Sequence, residues 1–203
     1  MEEQLIKVGV THGDINGIVI LKTFEDSRIT ELCTPIIYGS SKVAAYHRKA
    51  MELPPVNFSI IASADEAGAS RVNIINCIED NTKVELRKST PEAGRAAFQS
   101  LEAAVADLRR GAIDVLLTAP INKHNIQNEA FHFPGHTEYV EECCAESRSK
   151  ALMILLTDSL RVALVTGHVP VSRIAECITV PNIVSKLTLF NHSLKQDFGI
   201  VKP

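Results

Sequence analysis

Apolar and polar positions alternate between two periods along the chain, and that change of period outlines the fold. Ile6 to Thr11 is an apolar run with strand character that ends in the polar loop His12–Gly17, after which Val19 to Glu25 reads as a short helix. Thr34 to Tyr38 is a second strand, closed by Gly39, and Ser40 is placed to cap a helix running to about Met51. Val56 to Ile61 and Val72 to Ile78 are two further strands joined by a polar linker. Ser89-Thr90-Pro91-Glu92 combines a Ser/Glu capping box with proline in a first turn. Ala93, Ala97, Leu101, Ala104, Val105 and Leu108 then form one apolar stripe at helical spacing. Arg109 and Arg110 suit the negative end of that helix, and Gly111 stops it.

Ile113 to Thr118 reads as a buried strand ending in Ala119-Pro120. A helix is expected from Glu138 to about Ser147. Ala151 to Leu156 and Arg161 to Thr166 are apolar strands separated by a polar turn at Thr157-Asp158, close enough to form a hairpin. Thr179-Val180-Pro181 opens a last helix through Val184 and Leu187. Strands separated by helices predict an α/β fold with a mixed, mainly parallel sheet and helices on both faces. Ligands gather at the carboxyl ends of strands in such folds. That singles out His12–Gly17, Ala119–His124, the turn before His136, and Gly167–Pro170.

Composition narrows the function without naming it. The chain has 203 residues, 45% hydrophobic and 22% charged, enough for a sizeable core in one large domain or two small ones. A net charge of −3 with interspersed signs leaves no electrostatic footprint for nucleic acid or an anionic membrane. No apolar run approaches the ~20 residues that span a bilayer. The acidic start Met1-Glu2-Glu3-Gln4 does not resemble a signal peptide, so the expected compartment is the cytoplasm. Five cysteines without a CxxC spacing read as reduced thiols in or near the core.

Seven residues at the strand ends carry candidate chemistry. His168 follows a strand directly; Gly167 permits unusual backbone angles and Pro170 stiffens the exit. It is either a ligand for a divalent metal or a surface-loop histidine, and one histidine does not make a metal site. His136 and Thr137 follow the Pro134-Gly135 turn at the start of a helix, where amides, hydroxyl and imidazole suit an anion or hydroxyl; the plainer alternative is a cap and a turn residue. Lys123, after the Ile113–Thr118 strand, holds a phosphate as a point charge or stands solvated. Asp14, Asn16 and Asn122 orient neighbouring groups or make Asx turns. His124 and His132 read as structural, and His47 and His192 carry no signal. The loop His12–Gly17 is neither G-x-G-x-x-G nor a Walker pattern, and no nucleophile elbow occurs.

Four stretches taken in order resemble one family. They are Thr11-His12-Gly13-Asp14-Ile15-Asn16-Gly17-Ile18, Thr118-Ala119-Pro120-Ile121-Asn122-Lys123, Phe133-Pro134-Gly135-His136-Thr137-Glu138, and Leu164-Val165-Thr166-Gly167-His168-Val169-Pro170. Their order and spacing are similar to the 4-hydroxythreonine-4-phosphate dehydrogenases of pyridoxal phosphate biosynthesis. The resemblance implies a two-lobed fold like the isocitrate and isopropylmalate dehydrogenases, and a homodimer. It implies substrate binding by His136 and Thr137, and a role for His168 as one of three histidines on a divalent metal: zinc, cobalt or magnesium, of which magnesium suits imidazole least. It also implies NAD or NADP as cofactor. The substrate class would be a small phosphorylated hydroxy amino acid, oxidised at a secondary alcohol and then decarboxylated.

The chain departs from the family pattern in two respects. The family continues well past the equivalent of residue 203, so the other metal histidines, several phosphate-binding residues and most of the cofactor site are expected beyond it, and the 203 residues alone are expected to be catalytically incomplete. The first loop is also short: Val19-Ile20-Leu21-Lys22 follows Gly17-Ile18 at once, where the family has Gly-Pro-Glu or similar. Two other functions suit the same features. One is a sister dehydrogenase acting on threonate or erythronate phosphate. The other is a phosphate acyltransferase of related fold, which needs neither NAD nor metal. A non-catalytic scaffold is a further option.

Overall fold

The computed structural model describes residues 5–12, 17–79, 82, 88–145 and 151–203. The chain divides into two compact units, Met1–Cys144 and Ala145–Pro203.

The first unit is built on five parallel strands: β1 (Lys7–Thr11), β2 (Thr34–Gly39), β3 (Phe58–Ile61), β4 (Val72–Asn76) and β5 (Val115–Thr118), in the order β3-β4-β2-β1-β5. Alternation along the central strands divides their side chains between two faces. Val10 and Ile37 pack on one face with Ile74 and with Ile20 of α1 (Gly17–Thr23). Ile36 and Tyr38 pack on the other with Ile113 and with Ala104 of α4 (Pro91–Arg109). Helices therefore cover both faces, as the periodicity predicts. Two more helices lie between β1 and β3 in the chain: α2 (Ile29–Leu32) and α3 (Ser41–Ala50), the latter capped by Ser40, whose side chain accepts from the Val43 amide.

The long helix α4 begins one residue later than the capping box suggests. Thr90, not Ser89, is the cap, its hydroxyl accepting from the Ala93 amide at 3.2 Å. The Ser89 hydroxyl instead accepts from Asn122 Nδ2. Ala97, Leu101 and Val105 meet Ile126, Phe131 and Tyr139 in a further apolar cluster, against which Leu116 of β5 also packs. Gly111 ends the connection in the left-handed region, at φ 72°.

One expectation changes. The run Ile113–Thr118 is not buried throughout: Ala112 and Ile113 are buried, but β5 is an edge strand on which Val115 and Leu117 are 45% and 55% exposed. An apolar run does not reveal whether both of its faces are covered. The expected hairpin forms. In the second unit β6 (Ile154–Leu156) pairs antiparallel with β7 (Arg161–Ala163). The unit continues through α6 (Ile174–Cys177) to α7 (Val180–Gln196), capped by Thr179 as its sequence predicts. No helix among the described residues is long and apolar enough to cross a membrane.

Candidate active site

Strand order places the first candidate crevice. The chain leaves β1 toward β2 on one side, while β5 lies on the other, so the winding reverses between β1 and β5. Their carboxyl ends are tied together: the buried Thr11 hydroxyl accepts from the Ala119 amide at 3.1 Å. The buried Ser100 of α4 reaches the same region. Its hydroxyl accepts from the His12 amide at 2.9 Å and donates to the Tyr38 carbonyl at 2.6 Å. Asp14 and Asn16 lie outside the described residues.

His136 is the first residue of α5 (His136–Cys144), two residues before the start that the sequence pattern suggests; Ser147 lies outside the described residues. Aromatic packing fixes this entry. Phe133, three residues before His136, and Tyr139, three after it, have ring centroids 5.4 Å apart, and both also pack on Phe131. Thr137 is therefore the second residue of the helix rather than its cap, and its side chain is exposed. The first amides of a helix lack intrahelical acceptors and favour an anion. His136 and Thr137 line a cleft of about 390 Å³ along β5, together with Leu116, Thr118, Val140 and Asp114.

The His136 Nε2 atom is buried and has no hydrogen-bond partner among the described residues. Burial, and then the nearby Lys123 charge, lower the imidazole pKa from 6.5. The ring is thus neutral at pH 7, able to give or accept one hydrogen bond at Nε2. Lys123 reaches the same turn: a Cβ built on Gly135 would stand 3.7 Å from Lys123 Nζ and 3.5 Å from Glu138 Oε2. The structure thus brings His136, Thr137 and Lys123 together. Asn122 sits beside them in a supporting role. Its Oδ1 accepts from the His124 and Asn125 amides, and its Nδ2 donates to Ser89 Oγ at 3.0 Å.

His168 belongs to the second unit and is exposed. The unusual backbone angle expected at Gly167 falls on His168 itself, at φ 51°. Among the described residues no three His, Cys, Asp or Glu side chains gather as a metal site. A divalent ion needs three or four protein ligands.

Some residues at the site escape the sequence reading. His47 is buried on α3, with its ring 6.1 Å from that of His12 in an edge-on contact. Nothing local marks it, because the partner is brought in by sheet pairing. Tyr139 and Phe133 have a faint signal: Phe131-x-Phe133 ahead of an aromatic six residues after Phe133 brackets the Pro-Gly turn.

Comparison with known proteins bears on this arrangement. The family model described as pyridoxal phosphate biosynthetic protein PdxA matches residues 31–203, a span that contains Lys123, His136, Thr137 and His168 but not the short first loop. A 4-hydroxythreonine-4-phosphate dehydrogenase of Bacteroides thetaiotaomicron is 57% identical over 206 residues, covering 100% of this chain and 56% of that protein. One from Sulfurihydrogenibium is 34% identical over 204 residues, covering 98% of this chain and 61% of the relative. The crystal structure of a 4-hydroxythreonine-4-phosphate dehydrogenase from Burkholderia phymatum superposes with a TM-score of 0.83 at 25% identity, over 99% of this chain and 61% of that one. The chain thus spans 56% and 61% of the length of these two sequence relatives.

Proposed function

Because the chain belongs to the family of pyridoxal phosphate biosynthetic protein PdxA, we propose that it serves the oxidation and decarboxylation of 4-phosphohydroxy-L-threonine to 3-amino-2-oxopropyl phosphate. The observation that carries this reading is the His136 corner. A neutral, half-buried imidazole whose Nε2 has no hydrogen-bond partner among the described residues stands beside a lysine at a helix start. That combination suits a ligand bearing both hydroxyl and anionic groups.

In this reading His136 hydrogen-bonds a substrate oxygen through Nε2, and the Thr137 hydroxyl, exposed on the first turn of α5, takes a second. Lys123 offsets substrate negative charge without needing to lose a proton. Bound NAD or NADP would supply the hydride acceptor, chemistry that no side chain offers. His168 is assigned as one ligand of a divalent metal whose other ligands lie outside the described residues. The working form is a homodimer in the cytoplasm.

Calorimetric titration of the 203-residue chain with 4-phosphohydroxy-L-threonine tests the site. Saturable binding is expected, weakened roughly tenfold or more by His136→Ala, the loss of one hydrogen bond to a charged or polar ligand group. Threonate 4-phosphate, which lacks the amino group, is the comparator. Tighter binding of the comparator would transfer the assignment to the sister sugar-acid enzyme, and no binding of either would remove it.

A further inference from the structure

Lys123 is an exposed side chain on a loop, yet the backbone on either side of it is held more firmly than its exposure suggests. Asn122 Oδ1 accepts from the His124 amide at 2.9 Å and from the Asn125 amide at 3.4 Å, closing a turn around residue 123. The Lys123 carbonyl accepts from Gln127 Nε2 at 3.3 Å, and the same amide group donates to the Phe133 carbonyl at 2.9 Å. Gln127 therefore bridges the lysine loop to the segment that leads into the His136 turn.

The base of this loop is fastened to the start of α4. Asn122 Nδ2 donates to Ser89 Oγ at 3.0 Å, and Asn125 Nδ2 donates to the Thr90 carbonyl at 3.2 Å. Gly94 makes the approach possible. A Cβ there would meet the Asn125 carbonyl oxygen at 2.0 Å, a backbone atom that cannot swing aside. Immediately after the loop base, Ile126 is fully buried in the aromatic layer.

We propose that Gln127, Asn122, Ser89 and Gly94 are positioning residues, which together hold Lys123 over the Gly135 turn, near His136. None of the four need touch a ligand. Their effect runs through the placement of one cation beside the Gly135 turn. The consequence for substrate binding rests on the function proposed above; the placement itself does not.

The His136 imidazole reports on that placement without any substrate. Its charged surroundings are Lys123 and Glu138 at the turn, with Asp114 lining the same cleft. The experiment is an NMR titration of the His136 ring in the 203-residue chain, with its resonances assigned by their loss in His136→Gln. Lys123→Met is expected to raise the titration midpoint, because the cation lowers it in the native chain. Gln127→Ala is expected to raise it too, by no more than Lys123→Met, and to add nothing on the Lys123→Met background. A purely structural role for Gln127 would lower the unfolding temperature and leave the midpoint in place.

Three outcomes overturn the proposal. They are an unshifted midpoint in Lys123→Met, an unshifted midpoint in Gln127→Ala alongside a shifted Lys123→Met, and a Gln127→Ala shift that persists in full without Lys123. Gly94→Ala should behave like Gln127→Ala where it folds. Gln127 is exposed, so its variant carries the test if Gly94→Ala does not fold. Failure of 4-phosphohydroxy-L-threonine to bind would remove the functional reading and leave this titration result intact.

Discussion

At the scale of single residues, burial decides the behaviour of the histidines. His47 is 7% exposed, and its Nδ1 has no partner among the described residues. Desolvation lowers its pKa from 6.5. The unfolded chain then takes up a proton at a higher pH than the folded one. Stability is fully present above about pH 6.5 and declines as pH falls below it, down to the folded value. Urea unfolding at pH 7.5 and pH 5 should show this loss, and His47→Leu should shrink it; an unchanged pH difference in His47→Leu would place the proton uptake elsewhere. The residue types at the turn were readable in advance, since Pro134-Gly135 and the strand ends point to His136, Thr137 and Lys123. The division of labour between Ser89 and Thr90 was not. Both can cap a helix, and the choice depends on Asn122, which is 33 residues away and claims the Ser89 hydroxyl.

At the scale of elements, β1 is squeezed between its neighbours. A Cβ on Gly9 would fall 2.4 Å from Ile113 Cδ1 and 3.2 Å from the Tyr38 ring. Gly9→Ala should therefore destabilise the first unit by about 1–3 kcal/mol, the usual cost of overpacking. Ile113→Val removes the atom in conflict. The double variant should be less destabilised than the sum of the two single changes, as measured by urea unfolding, and strict additivity would show that the clash is relieved elsewhere. The strands and the helix α4 were legible because their periods are local. Which strand neighbours which was not. β2 pairs with β4 although β3 comes between them in the chain, and the edge position of β5 follows from that order rather than from its own apolar run.

At the scale of the whole molecule, chemistry and chain do not coincide. The residues assigned to substrate lie in the first unit and His168 in the second. The described part gathers no complete metal-ligand set. On the role proposed for His168 as one of several metal ligands, the 203-residue chain is expected to show no detectable NAD reduction with 4-phosphohydroxy-L-threonine and a divalent metal, even where the substrate binds. A measurable rate would mean that these residues suffice. Light scattering should give a mass near twice 22.2 kDa for the proposed dimer. A monomer at micromolar concentration would remove the dimer from the reading.

The left-handed backbone at His168, φ 51°, sets two demands on one position. A side chain with a Cβ is disfavoured there, most of all a β-branched one, while asparagine tolerates the angle. His168→Asn should therefore unfold at a higher temperature than His168→Val, and the reverse order would deny the strain. Selection for thermal stability alone would be free to replace this histidine, whereas the metal role proposed for it would make selection for activity resist the replacement. Position 168 is consequently a place where laboratory evolution for robustness is expected to replace the native residue early, and persistence of histidine there would support the metal role proposed for it.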